Sequence, residues 1–188
     1  MAKPQIDVLP GAYLSAAVLL LVLPLRWFLA WLVAAAIHEI FHILAILLCG
    51  GKVRCVRIGP FGADIEIGPL TPGKELICAL SGPAGGLLLL PMFRWIPCIA
   101  LFALLQSACN LLPIYPMDGG RALRCAITLA VGEKWAEMIS GVCGQFVLFC
   151  LYIIGFVAFF RWNLGIMALL PQILLSIKFL PRKIPCKS

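Results

Sequence analysis

Hydrophobic and polar positions divide the chain into long apolar segments separated by short polar stretches. The apolar segments run over about residues 11–25, 27–49, 75–93, 95–113, 135–160 and 162–180. A helix that spans the hydrocarbon core of a bilayer needs roughly 20 predominantly apolar residues. The pattern therefore predicts an all-α polytopic membrane protein with about six transmembrane helices. Tryptophans at the borders of four segments are typical of the membrane interface, and they are Trp27, Trp95, Trp135 and Trp162.

One polar stretch has the shorter period of a β-strand. Residues 52–69 alternate β-branched and polar side chains on both sides of a Gly-Pro-Phe-Gly sequence at positions 59–62. This pattern predicts a small cytoplasmic β-hairpin after the second helix. The alternative is an ordinary amphipathic loop at the membrane surface. A hairpin with an open edge could accept an extended peptide as an added strand.

Composition supports the membrane assignment. The chain is 63% hydrophobic and 12% charged, whereas a soluble domain is about 45–50% apolar and about 25% charged. These values exclude a soluble enzyme and a disordered protein. A length of 188 residues predicts a single membrane-embedded domain over residues 1–188, with no separate soluble domain.

The basic residues predict the orientation of the chain in the bilayer. Twelve of the fifteen Lys and Arg residues lie in alternate loops on one side, including a loop with Arg121, Arg124 and Lys134. Cytoplasmic loops carry such an excess of positive charge. Both termini are therefore expected in the cytoplasm. Because this charge is spread along one face of the bilayer, it does not support nucleic-acid binding.

The second apolar segment contains both histidines of the protein. His38 and His42 are four residues apart, so on a helix their imidazoles share one face and could bind one metal ion. Glu39 lies beside them as a candidate general base. An ionisable group within a membrane span costs roughly 2.5–3.5 kcal/mol and is a functional candidate by default. The alternative is a histidine pair satisfied by hydrogen bonds to neighbouring helices.

A third ligand is needed, because a catalytic zinc commonly has three protein ligands and a water. Asp118 is the candidate, since it is the only acidic residue between positions 76 and 132. Pro113 and Pro116 must interrupt the helix before it, and broken backbone at membrane depth is tolerated where it lines a cavity. We expect the two features to meet roughly 10–15 Å below the cytoplasmic surface. The alternative is a simple turn aspartate.

Together these motifs resemble a known family. The pairing of His38-Glu39-x-x-His42 with Asn110-x-x-Pro113-x-x-x-x-Asp118-Gly119 resembles the site-2 protease family of zinc intramembrane metalloproteases. The sequence is most similar to the sporulation type (stage IV sporulation protein FB-like), which processes a sigma-factor precursor. The resemblance covers about residues 26–131, which would form the catalytic core. Residues 81–83, Ser-Gly-Pro, match a small-residue motif of the family.

The resemblance implies a reaction and a role for each motif residue. The protein would hydrolyse a peptide bond in or near the membrane segment of a protein substrate, such as a sigma-factor precursor or another membrane-bound regulator. A regulatory membrane protein is a further candidate partner. One zinc ion per chain would be held by His38, His42 and Asp118. Glu39 would activate water, and Asn110 would lie near the substrate or the developing oxyanion.

Two departures from the family pattern bear on specificity and control. The family often has an asparagine three residues after the Gly-Pro of that motif, but the sequence continues Ala84-Gly85-Gly86. Sporulation-type members often carry a soluble C-terminal nucleotide-sensing domain, which we do not expect here. Two other functions use the same ligands: a metal transporter, and an inactive membrane scaffold. A transporter should show a relay of polar groups across the whole span, and few are present.

Overall fold

The secondary structure is mostly helical, in a computed structural model that describes residues 5–60 and 62–162. Within those residues the strands are Gln5–Val8 (β1), Val53–Gly59 (β2) and Gly62–Ile67 (β3). The helices are Pro10–Val22 (α1), Leu25–Leu48 (α2), Pro72–Leu87 (α3), Pro97–Asn110 (α4), Asp118–Val131 (α5) and Glu133–Trp162 (α6), and a short 3-10 helix, Leu90–Arg94, follows α3. The described residues fall into two compact units, one ending at Leu111 and the other beginning at Leu112.

Within residues 5–60 and 62–162, three stretches of helix are long and apolar enough to cross a membrane. They are α2, the continuous stretch Pro72–Arg94, and Glu133–Arg161 of α6. The apolar helices α1 and α4 have 13 and 14 residues, fewer than the roughly 20 of a typical span. The predicted sixth segment, residues 162–180, lies almost wholly outside the described residues. A total of six spans therefore stays a prediction.

Strands β1, β2 and β3 form one three-stranded sheet. The hairpin predicted from residues 52–69 is confirmed as the antiparallel pair β2 and β3. The sequence did not predict β1, which pairs in parallel with the other side of β2. Side chains of the hairpin, including Ile65 and Ile67, pack against buried Ile46 of α2 and Cys78 of α3. This contact attaches the sheet to the end of α2 that follows the histidine pair.

Small residues on α3 allow three helices of the first unit to pack closely. A Cβ placed on Gly85 would lie 2.8 Å from the Cβ of Phe41 on α2, and one on Gly86 would lie 3.1 Å from the carbonyl oxygen of Ala103 on α4. Backbones approach one another in membranes at such small residues. The buried Ser107 hydroxyl on α4 also donates to the carbonyl of Pro83 at 3.0 Å. These contacts place α3 against both α2 and α4.

The second unit contains a helix in a region that the distribution of Lys and Arg predicts to be a loop. Residues 118–131 form α5, so the assignment of Arg121 and Arg124 to a loop is wrong. Its buried face includes Ala122 and Cys125, whereas Leu129 and Val131 are exposed. Counting charges cannot distinguish a loop from an amphipathic helix, because both place basic residues in water. The helix ends at Gly132, whose φ of 96° suits glycine.

Candidate metal centre

Helix α2 brings the two histidines together on one buried face. His38 and His42 are 2% and 6% exposed, and their rings meet edge to face with centroids 4.8 Å apart. The Nε2 atoms lie 3.2 Å from each other. The spacing of four residues produces this geometry, since side chains at i and i+4 are neighbours on a helix. Both rings therefore present the same nitrogen to a common point.

Helix α3 determines the tautomer of His42. Its Nδ1 lies 2.8 Å from the carbonyl oxygen of Cys78. A carbonyl can only accept, so Nδ1 carries the proton and donates it. In a neutral imidazole the other nitrogen, Nε2, then has a lone pair and can act as a metal ligand. The Ser81 hydroxyl donates to the same carbonyl at 2.7 Å, so Cys78 and Ser81 together form the outer support of the ring.

Gly82 is the reason that α3 can reach His42. A Cβ at this position would lie 2.6 Å from Cε1 and 2.7 Å from Cδ2 of the imidazole. Such distances are impossible without moving the ring or the helix. Of the Ser-Gly-Pro motif at positions 81–83, the serine thus supports the ring indirectly and the glycine leaves space for it.

Asn110 approaches the same point from the end of α4. Its amide nitrogen Nδ2 lies 3.3 Å from Nε2 of His38. In this arrangement the amide donates to a lone pair on His38, so both histidines direct Nε2 lone pairs into one region. Two nitrogens bound to one tetrahedral zinc at about 2.0–2.1 Å would be about 3.3–3.4 Å apart. The observed 3.2 Å fits that requirement, and a cation would relieve the repulsion of the lone pairs.

The two predicted acidic residues, Glu39 and Asp118, lie on different helices. Glu39 is half-buried on α2, between the two histidines in sequence. Asp118 is 8% exposed and is the first residue of α5, where a carboxylate interacts favourably with the helix N-terminus. The predicted helix break is confirmed, since residues 111–117 are not helical. Two imidazoles that share one buried face of a helix suit zinc by their chemistry.

The loop before Asp118 is held by close backbone packing within the second unit. A Cβ on Gly120 would lie 2.7 Å from the carbonyl oxygen of Ile114, and one on Gly144 of α6 would lie 3.3 Å from the carbonyl oxygen of Pro113. Ile114 itself is 1% exposed. The first turn of α5 is therefore seated on the turn that precedes it, which restricts where the aspartate can lie.

The contact of His42 with the carbonyl of Cys78 could not be predicted from the sequence. No side-chain pattern could reveal it, because the group that supports His42 belongs to the backbone. The match of residues 81–83 to a small-residue motif was the one available signal. It marked the correct helix without showing which of its atoms supports the ring.

Comparison with known proteins relates the chain to metalloproteases. It is 23% identical over 142 residues to a zinc metalloprotease of Methanocaldococcus jannaschii, covering 68% of this chain and 42% of that protein. It is 27% identical over 151 residues to a candidate zinc metalloprotease of Synechocystis, covering 71% of this chain and 38% of that protein. The chain thus spans about two fifths of the length of the curated relatives it matches. No family model matches the sequence.

The fold is shared with a solved protease structure. A site-2 protease from Methanocaldococcus jannaschii superimposes with a TM-score of 0.71 over 100% of this chain and 98% of that one. The two sequences are 18% identical, so this likeness concerns the fold alone. It agrees with the mostly helical architecture and the small sheet.

Replacing Gly82 with alanine should displace His42 and weaken metal binding. We expect zinc affinity to fall by about 10- to 100-fold, the range found when the support of a ligand is disturbed. The measurement is chelator competition on purified protein in detergent. Gly141→Ala on α6 is the matched control, because a Cβ there meets nothing within 4 Å. Equal zinc affinity in Gly82→Ala and Gly141→Ala would contradict the assigned role of Gly82.

Proposed function

We propose that this protein is an intramembrane zinc metalloprotease of the site-2 type. The observation that carries the proposal is the buried histidine pair, whose Nε2 atoms lie 3.2 Å apart in an apolar helix. Such a pair suits a shared metal, and an apolar span does not retain ionisable groups without a function. The names of the metalloprotease relatives and the site-2 protease fold support the same activity.

In this proposal one zinc ion per chain is held by His38, His42 and Asp118. Two histidines and a carboxylate form a common catalytic zinc set, and the burial of Asp118 supports its inclusion. When bound, zinc would polarise the scissile carbonyl and lower the pKa of the attacking water towards neutrality.

Two residues of the first unit act on the substrate. Glu39 takes a proton from the attacking water and delivers it to the leaving amine, the usual role of the glutamate in this helical motif. Asn110 donates its amide hydrogen to the carbonyl oxygen of the scissile bond as negative charge develops. Support for Asn110 comes from its approach to His38, at 3.3 Å from Nε2.

The proposed substrate is a membrane-associated protein. A helical peptide bond is already hydrogen-bonded within its own helix, so the substrate must unwind before hydrolysis. The edge of β3 could hold the unwound segment as an added strand. The sporulation-type resemblance suggests a membrane-bound regulator, such as a sigma-factor precursor. The distribution of Lys and Arg supports cytoplasmic termini and a site near that face.

Glu39→Gln should separate proteolysis from metal binding. We expect the variant to retain one zinc per chain and to cleave a membrane-peptide substrate about 10²–10⁴-fold more slowly, because the general base is lost. Cleavage is followed by mass spectrometry and zinc by elemental analysis. A variant that cleaves as fast as the wild type would contradict the role of Glu39. Metal flux into vesicles by the same variant would favour transport.

Asp118→Ala should reduce zinc binding if the carboxylate is a ligand. We expect zinc affinity to fall by more than the about 10- to 100-fold found when a residue that supports a ligand is changed. The reason is that one of three protein ligands is removed. Asp64→Ala on β3 removes an exposed acid and is the control. Chelator competition compares the two variants. Equal zinc affinity in both would remove Asp118 from the ligand set.

Ala63→Pro should weaken substrate binding if the edge of β3 receives the peptide. Gly59 and Gly62 form the closing pair of the hairpin, so by alternation the N–H of Ala63 points away from β2. Proline there removes one outward donor and leaves the ladder to β2 intact. We expect an increase in KM with kcat nearly unchanged, and Ala63→Ser should behave as the wild type. An unchanged KM in Ala63→Pro would exclude strand addition at this edge.

A further inference from the structure

Gln106 of α4 lies on the side of that helix that faces α2. The rings of Phe102 and of Trp27 on α2 pack edge to face, with their centroids 5.9 Å apart. The amide nitrogen of Asn110 lies 3.3 Å from Nε2 of His38. Gln106 is four residues from each of these two residues of α4, so it shares their side of the helix. The two contacts also show that α2 and α4 run parallel, which places Gln106 level with residues 31–34 of α2.

That part of α2 is apolar. Ala30 and Ala34 are 5% and 0% exposed, and residues 27–37 of the helix include no polar side chain apart from the two indoles. The side-chain oxygen Oε1 of Gln106 is buried, and no hydrogen-bond partner reaches it among the described residues. A buried acceptor without a partner lowers stability. Packing alone therefore does not account for a glutamine here.

The neighbouring serine shows what a structural polar group does in this unit. Ser107, the next residue along α4, is fully buried and donates to the carbonyl of Pro83 on α3. That bond joins two helices. Gln106 makes no equivalent bond through Oε1, although it lies one helical turn from Asn110. Its side-chain oxygen therefore stays buried without a partner among the described residues, one helical turn from the residue that approaches His38.

We propose that Gln106 accepts a hydrogen bond from a backbone N–H of the unwound substrate, one helical turn away from the scissile bond. This inference rests on the proposed protease function. An unwound segment at membrane depth exposes N–H and C=O groups that need partners. Asn110 offers a donor and Gln106 an acceptor, about 6 Å apart along α4. In an extended peptide the C=O of one residue and the N–H of the residue two positions later lie on the same edge, so both can face one side of a helix.

The test compares Gln106→Met, which keeps the length of the side chain, with Gln106→Glu, which keeps an oxygen acceptor. Gln145→Met is the matched control, because Gln145 lies on an exposed face of α6. The probe is a set of synthetic peptides with a 20-residue Leu/Ala segment and a central Asn-Gly. The reporter is a peptide that the wild type cleaves and Glu39→Gln does not. The readouts are KM, kcat, zinc content and the melting temperature in detergent.

For Gln106→Met we expect kcat/KM to fall about three- to tenfold, as one hydrogen bond to the substrate is lost. The melting temperature should stay equal or rise, because a buried acceptor is removed, and zinc content should not change. Gln106→Glu should recover part of the loss, and Gln145→Met should match the wild type. A lower melting temperature together with lost zinc would show a structural role and overturn the proposal.

Ester substitution identifies the bond directly. Each backbone N–H of the reporter near its cleavage site is replaced in turn by an ester oxygen. At one position the ester should slow the wild type by the same factor as Gln106→Met and should slow Gln106→Met no further, because both changes remove one bond. Additive effects at every position would refute the inference while leaving the protease function intact. If the wild type cleaves no peptide in a Glu39-dependent way, the proposed function itself fails.

Discussion

The hydrogen bond from His42 to the carbonyl of Cys78 is the interaction on which the candidate site depends. It fixes the proton on Nδ1, and it thereby directs the Nε2 lone pair towards His38. A flexible imidazole in an apolar helix would have no preferred direction. The bond needs α3 close to α2, and this is possible because Gly82 has no side chain to occupy the space of the ring. The backbone of α3 therefore determines which nitrogen of His42 can bind a metal.

The same close packing explains why so few polar side chains suffice. Helices in a bilayer gain little from apolar contact with one another, so small residues and a few hydrogen bonds hold them together. Gly85 and Gly86 allow the approach, and Ser107 ties α4 to α3. With these contacts made, α4 can present Asn110 and Gln106 towards α2. Helix α4 thus packs closely against α3 with one side and presents polar side chains towards α2 with the neighbouring side.

Much of the helical architecture could be predicted, because apolar segments and their borders follow directly from the bilayer as a solvent. The histidine spacing likewise predicted a shared face, since helical periodicity requires it. Three features could not be predicted. The strand β1 has four residues and forms only by pairing with a distant strand. The helix α5 carries basic residues as a loop would, so its charges did not distinguish it from a loop. The group that accepts the hydrogen bond of His42 is a backbone carbonyl, which no side-chain pattern reveals.

The pairing of β1 with β2 constrains how the chain crosses the membrane. Val8 precedes α1 and Ile58 follows α2, and the two residues are partners in one sheet. If the sheet lies outside the hydrocarbon core, the chain returns to the same side of the membrane after these two helices, and the number of crossings between them is even. If α2 crosses once, α1 must also cross. A helix of 13 residues is about 20 Å long, so a crossing by α1 would require the bilayer beside it to be locally thin. Such thinning would shorten the path by which water reaches the histidine pair.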